Sequence, residues 1–126
     1  MGEDKHQVLI VDDEPGVRYL LKEILLDEGL IIHTAGSAIE VLVSFDIMEI
    51  DLIILDIKMP GMDGLELYKI LIGKGFHGKV ILMTANGGDD RMMERARTLG
   101  VKKFLIKPFD VEELIEKVFT ALNVTI

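Results

Sequence analysis

Short β-type runs alternate five times along the chain with segments of helical periodicity. The first helical segment shows the pattern clearly, with apolar residues at i, i+3, i+4, i+7 and i+8 from Val17. Runs 1, 3 and 4 are apolar without alternation, which is typical of strands that are covered on both faces. Because crossovers between parallel strands are right-handed, this pattern predicts a doubly wound (βα)5 α/β domain over residues 1–126.

Local signals mark where several helices begin and end. Pro15 stands at a first helical position, where its missing N–H costs nothing, and Gly29 can end the same helix. The Ser37-x-x-Glu40 and Asp110-x-x-Glu113 sequences predict capping boxes at the starts of the second and fifth helices.

Charge and composition exclude several classes of partner. The chain has 126 residues, with 22 acidic and 14 basic side chains, so its net charge of −8 disfavours nucleic acid as a ligand. Its apolar runs are far shorter than the roughly 20 residues that a membrane span needs. The absence of cysteine excludes disulfides and thiolate metal sites. With no signal-peptide pattern in residues 1–6, we expect a cytoplasmic protein. Because the sequence ends just after the fifth helical segment, we also expect no output domain.

Polar residues stand where the apolar runs end. Asp12 and Asp13 close the first run, Asp56 the third, Thr84 the fourth and Lys107 the fifth. Ligands of open α/β sheets bind at the carboxyl ends of the strands, near the point where strand order reverses. If runs 1 and 3 are neighbours, three carboxylates converge, and such a trio needs a cation; its all-oxygen ligands suit Mg²⁺. Together with a lysine and a hydroxyl, the set predicts a phosphoryl site.

Four motifs in the same order resemble the receiver domain of bacterial two-component response regulators. They are Val11-Asp12-Asp13, the segment 56–64 with Asp56 and Lys58-Met59-Pro60-Gly61-Met62-Asp63-Gly64, Met83-Thr84-Ala85, and Phe104-x-x-Lys107-Pro108-Phe109. The resemblance covers nearly the whole chain. It implies the flavodoxin-like strand order 2-1-3-4-5 and a stand-alone receiver similar to that of the sporulation phosphorelay.

The resemblance also implies the roles of the site residues. Asp56 is expected to accept a phosphoryl group from a phosphohistidine on a histidine kinase or phosphotransfer protein. Asp13 and Asp56 would hold Mg²⁺ together with the backbone carbonyl of Lys58, and Asp12 would lie nearby, often acting through water. Lys107 would pair with the phosphate, catalysing the transfer with Asp56 and Thr84.

A switch and a docking face are implied as well. Thr84 and the aromatic Phe104 would change position on phosphorylation, and the Lys107–Pro108 bond would be cis. In receivers, the first helix and the loop after strand 5 contact the phosphohistidine partner. The candidate docking residues here are Val17, Leu20, Pro108 and Phe109. For Tyr19, docking and ordinary surface exposure are equally plausible interpretations.

Other functions are weighed against this one. A haloacid-dehalogenase-like phosphohydrolase needs a second aspartate two residues after its nucleophile, and position 58 is a lysine. A flavodoxin would bind a flavin phosphate that Asp12-Asp13-Glu14 repels. We therefore expect a phosphoacceptor signalling protein that is not an ordinary enzyme, although it assists its own phosphoryl transfer and hydrolysis. Two outputs stay open: transfer of the phosphoryl group to a downstream acceptor, or a chemotaxis-type binding switch. The resemblance implies that Lys58 and Asn86 flank the phosphoryl group.

Overall fold

Five parallel strands alternate with five helices in a computed structural model, which describes residues 5–85 and 90–124. The strands are β1 (Gln7–Val11), β2 (Ile31–Ala35), β3 (Leu52–Asp56), β4 (Lys79–Ala85) and β5 (Lys103–Lys107). The helices are α1 (Pro15–Leu26), α2 (Ala38–Ser44), α3 (Gly64–Gly73), α4 (Asp90–Thr98) and α5 (Val111–Leu122), with a 3-10 turn at Ile47–Glu49. The sheet order β2-β1-β3-β4-β5 confirms the predicted fold and strand order. None of the helices in these ranges is long and apolar enough to cross a membrane.

Two apolar layers cover the two faces of the sheet. Successive strand residues point to opposite faces, so Leu9 and Ile53 pack in the layer beneath α2, α3 and α4, whereas Ile10 and Ile54 pack in the layer beneath α1 and α5. All four side chains are fully buried. This arrangement explains why runs 1 and 3 are apolar at every position.

The helix ends agree with the sequence in part. Pro15 is the first residue of α1, and Gly29 has a φ of 82° in the turn that follows this helix. At α2, Ser37 Oγ accepts a hydrogen bond from Glu40 N at 3.1 Å, as predicted. The return bond is different, because the Glu40 carboxylate accepts from Gly36 N, at 2.8 Å, and the predicted box is only half formed.

A reciprocal capping box forms elsewhere, at the start of α3. Asp63 Oδ1 accepts from Glu66 N at 2.9 Å, and Glu66 Oε1 accepts from Asp63 N at 3.4 Å. At α5, Asp110 Oδ1 accepts from Glu113 N at 2.7 Å, and among the residues that the structure describes no bond returns from the Glu113 side chain. The prediction of a full box at α5 was therefore wrong, and the one at α3 was missed.

A close backbone approach fixes the loop between β3 and α3. Gly64 N donates to Ile57 O at 2.8 Å, and a Cβ at residue 64 would collide with the carbonyl oxygen of Asp56. Only glycine fits at this position, because the obstructing atoms belong to the backbone and cannot rotate away. The contact holds the loop against the end of β3 and so helps to position Asp56.

Candidate functional site

Three carboxylates meet at the carboxyl edge of the sheet. Asp12 and Asp13 follow β1 and Asp56 ends β3, and these strands pair in register with Val11 opposite Leu55. One carboxylate oxygen from each aspartate lies within 4.8 Å of the others. Asp12 and Asp56 are buried, whereas Asp13 is exposed. The trio predicted from the strand ends is therefore a crevice with one solvent-facing member.

Protein groups hold Asp12 on both sides. Its Oδ1 accepts from Glu14 N at 2.8 Å, and its Oδ2 accepts from Lys107 Nζ at 3.1 Å. Its own N–H donates to Ala35 O at 3.2 Å. Both carboxylate oxygens of Asp12 thus have protein partners, so this residue is more firmly fixed than Asp13.

Lys107 brings a positive charge to the crevice from the end of β5. Its Nζ lies 3.1 Å from Asp12 Oδ2 and 3.9 Å from Asp56 Oδ2. Burial alone would lower the pKa of Lys107, but the hydrogen bond to Asp12 and the charges of Asp56, Asp12 and Glu14 outweigh it and raise the pKa. The side chain is therefore a permanent cation beside Asp56.

Asp56 is the group that the crevice perturbs most clearly. Burial, followed by the negative charge of Asp12, raises the pKa of Asp56 from 3.8 to about 6. The charge of Lys107 and a backbone hydrogen bond from Lys58 act in the opposite direction, and Asp13 adds a further small rise. The ionised form of Asp56 is thus costly in the folded protein, and a divalent cation bound nearby would relieve that cost.

Strand register places Thr84 beside the crevice. Asp56 pairs with Met83, the residue before Thr84, and Thr84 pairs with Ile106, the residue before Lys107. Thr84 is buried, as expected of a side chain at the end of a covered strand.

The other residues on β5 and its loop lie as follows. Phe104 is half-buried on the α4 side of the sheet, with the Arg97 guanidinium carbon 5.5 Å from its ring centroid. The Lys107–Pro108 peptide bond is cis. Asn86, which was predicted to flank the phosphoryl group, lies outside the described residues.

Comparison with known proteins decides the family. Residues 8–119 match the protein family described as "Response regulator receiver domain". The chain is 38% identical over 112 residues to sporulation initiation phosphotransferase F of Bacillus subtilis, covering 89% of this chain and 90% of that protein.

The chain belongs to the response regulator receiver family.

Further relatives support the assignment. Chemotaxis protein CheY of Listeria monocytogenes is 32% identical over 111 residues, covering 87% of this receiver and 92% of that protein. The crystal structure of a CheY-like receiver domain protein from Methanospirillum hungatei superposes with a TM-score of 0.86 at 28% identity, covering 95% of both chains. The predicted family is confirmed, and with it the function of a phosphoacceptor in two-component and phosphorelay signalling. This assignment replaces the hydrolase and flavodoxin alternatives.

Receiver domains bind Mg²⁺ at an acidic site, and the residues present here fit that ion. The donor set is all carboxylate oxygen, which Mg²⁺ prefers, and one of its members faces solvent, where the ion can keep several waters. Burial and the negative charge of Asp12 raise the pKa of Asp56 although Lys107 lies nearby, so a bound cation would favour the ionised carboxylate.

The perturbed Asp56 gives a pH-dependent prediction for the metal-free receiver. Its folded pKa of about 6 exceeds the reference value of 3.8, so ionised Asp56 destabilises the fold above pH 6 and has no such effect below pH 4. We expect Asp56→Asn to raise the free energy of unfolding at pH 7.5 by on the order of 2 kcal/mol. Urea unfolding without divalent cations should show this gain shrinking to near zero at pH 4. An equal gain at both pH values would contradict the assigned cause.

An apolar groove of about 280 Å³ lies beside Lys107, between α1 and the loop after β5. Its lining includes the four residues predicted for docking, Val17, Leu20, Pro108 and Phe109. Leu20 is 58% exposed, so much of its side chain is accessible to a partner. Tyr19 is also exposed but is not part of the groove lining.

Arg18 contacts the acidic crevice of this receiver, although no sequence motif includes it. From α1 its Nη1 donates to the backbone carbonyl of Asp12 at 2.6 Å. The same nitrogen would lie 2.9 Å from a Cβ at residue 36, so Gly36 leaves the guanidinium its space. Arg18 is seven residues before the buried Leu25, so helical periodicity places it at the edge of the apolar face of α1. Nothing in that pattern shows that its side chain reaches back to the end of β1.

We expect Arg18→Ala to weaken Mg²⁺ binding by about 5-fold, as the loss of a hydrogen bond of about 1 kcal/mol would do if it disorders the Asp12-Asp13 backbone. Removing a positive charge near the crevice would by itself strengthen binding of a cation, so the sign of the change separates positioning from simple electrostatics. The matched control is Lys22→Ala, one turn along α1, which removes the same charge without a contact to Asp12. Calorimetric Mg²⁺ titration that shows tighter binding in Arg18→Ala would refute a positioning role.

Proposed function

We propose that Asp56 is the phosphoryl acceptor of this receiver and that a phosphohistidine on a histidine kinase or phosphotransfer protein is the donor. The observation that carries the proposal is the position of Asp56. Its carboxylate is one of three that converge, its Oδ2 lies 3.9 Å from Lys107 Nζ, and its pKa is raised to about 6. A buried carboxylate next to a permanent cation is suited to receive a phosphoryl group.

In the transfer, a carboxylate oxygen of Asp56 attacks phosphorus while the P–N bond to the donor imidazole breaks. The electron pair of that bond stays on the imidazole nitrogen, and an acyl phosphate remains on Asp56. The ammonium of Lys107 pairs with a phosphoryl oxygen, and the hydroxyl of Thr84 donates to another. Asp13, Asp56 and the Lys58 carbonyl would hold Mg²⁺, with Asp12 nearby, and the ion would supply positive charge to the phosphoryl oxygens.

The groove lined by Val17, Leu20, Pro108 and Phe109 is proposed as the docking face of the donor. It opens beside Lys107, so a helix or loop of a partner seated there would bring its histidine close to Asp56. The apolar lining suits burial against an apolar partner surface.

We further propose that the protein is a relay intermediate of the cytoplasm, formally a phosphotransferase, which passes its phosphoryl group to a downstream acceptor. The support is its 38% identity, over nearly the full length of both chains, to a protein named a phosphotransferase. Domain organisation also stays a proposal: residues 1–126 form a single receiver domain.

A chemotaxis-type binding switch is the second candidate. The half-buried Phe104 beside Arg97 favours it, because a ring in that position can move when Thr84 is drawn toward a phosphate.

The lifetime of phospho-Asp56 separates the two outputs. The Lys58 side chain is exposed, and its backbone hydrogen-bonds Asp56, so it stands beside the path of an attacking water. Because hydrolysis depends on positioning that water, a long side chain that blocks it favours a relay. We expect Lys58→Ala to shorten the lifetime several-fold while transfer from a phosphohistidine donor persists.

The measurement is the loss of labelled phosphate in Mg²⁺ without a partner, with Lys69→Ala, an exposed lysine on α3, as control. A lifetime that is unchanged or longer in Lys58→Ala would argue against a protective role for Lys58 and favour the switch.

A further inference from the structure

A second cavity, of about 540 Å³, lies at the opposite end of the sheet from Asp56. The starts of β4 and β5, the end of α5 and one residue of α3 line it. Its polar lining residues are Tyr68, Lys79, Lys102, Lys103, Thr120 and Asn123. The volume is within the range of roughly 300–1,000 Å³ that small-molecule sites occupy.

The strand register explains why the cavity exists. β4 begins at Lys79, but its first partner in β5 is Lys103, opposite Ile81, so β4 extends two residues past the start of its neighbour. The chain approaches β5 through a turn at Gly100, whose φ is 99°, and this turn lies on the rim. The offset between the two strands and the turn at Gly100 therefore leave space at this end of the sheet.

The charge of the lining is the opposite of the charge of the protein. Lys79, Lys102 and Lys103 contribute three positive charges, and no acidic residue is among the lining residues, although the chain carries a net charge of −8. In the described ranges, no carboxylate forms an ion pair with any of these three lysines. The neighbouring Asp51 is directed elsewhere, since its carboxylate accepts from Gln7 N at 2.7 Å.

The neutral groups of the cavity are suited to an anion as well. Burial raises the pKa of the Tyr68 hydroxyl, so that group stays protonated and can donate a hydrogen bond. Thr120 supplies a second hydroxyl and Asn123 an amide. Lysine ammonium groups bind phosphate oxygens as compact point charges.

We propose that this cavity, which we call the basal cavity, binds a small phosphate-bearing anion with at least two negative charges, free or as an ester. The site is separate from the acidic crevice and does not depend on phosphorylation of Asp56. Because a ligand that binds only the folded state stabilises it, occupancy of the basal cavity would raise the melting temperature of the receiver.

Pyrophosphate and ADP are suitable probes, titrated separately into isotope-labelled receiver without divalent cations and at constant ionic strength. We expect saturable amide shifts at the basal cavity, at Gly78, Gly100 and Ala121, and a rise in melting temperature. Tighter binding of ADP would indicate an ester as the natural ligand, and tighter binding of pyrophosphate a free anion. Shifts confined to the surroundings of Asp56 and Lys107 would overturn the proposal. So would a lack of saturation up to about 10 mM probe, a concentration that even a weak site of millimolar Kd would fill.

Matched double variants test the role of the lysines. Lys102→Gln with Lys103→Gln removes two charges from the basal cavity, and we expect affinity for the probe to fall at least tenfold. Lys22→Gln with Lys69→Gln removes two charges from α1 and α3 outside it, and affinity should change less than twofold. An equal loss in both variants would show general attraction to positive charge and refute a specific site. Unchanged melting temperatures without probe establish that both variants are folded.

Discussion

Asp56→Asn is expected to lose essentially all uptake of phosphoryl groups from acetyl phosphate. An amide nitrogen or oxygen cannot form the acyl phosphate that the carboxylate forms, so the substitution removes the nucleophile while keeping its size. The fold should survive, because Asn also relieves the cost of an ionised carboxylate whose pKa is raised to about 6. The measurement is incorporation of labelled phosphate in the presence of Mg²⁺.

The control for this experiment is Asp27→Asn. Asp27 caps the carboxyl end of α1 through its backbone and is exposed, so its side chain has no part in the crevice. It should keep uptake at the level of the unaltered receiver. Uptake by Asp56→Asn at a comparable level would remove Asp56 from the role of acceptor.

Asp13→Asn should produce the second large effect, a loss of Mg²⁺ affinity of at least tenfold and a matching loss of metal-dependent uptake. Asp13 is the exposed carboxylate of the trio, so it can bind the ion without first leaving protein partners such as those that hold Asp12. Its removal takes away a charged ligand where Mg²⁺ has few protein ligands to spare. Titration calorimetry gives the affinity directly.

Glu14→Gln is the matched control for the metal site. Glu14 follows Asp13 in the chain and is exposed, but it is not part of the trio. It should change Mg²⁺ affinity by less than about threefold, since a screened surface charge contributes little. If Asp13→Asn binds Mg²⁺ as tightly as Glu14→Gln does, the assignment of the metal ligands is wrong.

The covered strands were predictable because burial on two faces leaves a direct mark on composition. Ile53 and Ile54 are apolar on opposite faces, and the polar residue Asp56 marks where the strand leaves the core. The same logic predicts that strand-end residues meet at one edge. The pattern of apolar runs does not show which strands lie next to β1, because strand order depends on the paths of the crossovers. The strand order was predicted from the family resemblance instead.

Features that depend on side-chain reach or on the exact ends of the strands could not be predicted. The Glu40 carboxylate accepts a hydrogen bond from Gly36 N, whereas in a capping box it would accept one from Ser37 N. The spacing of Ser37 and Glu40 does not reveal this difference of one position. Arg18 crosses from α1 to the carbonyl of Asp12, a long-range contact that leaves no trace in helical periodicity. The basal cavity depends on the two-residue offset between β4 and β5, and sequence patterns fix element boundaries less tightly than that.

The most direct test of the account is to locate the phosphoryl group by peptide mapping after incubation with a phosphorylated histidine donor and Mg²⁺. We predict a single modification that is stable in acid and labile in base, on the peptide that contains Asp56, and its absence when Mg²⁺ is removed. A phosphoryl group on any other residue, or one that forms equally well without the metal ion, would contradict the assignment of Asp56 and its crevice as the acceptor site.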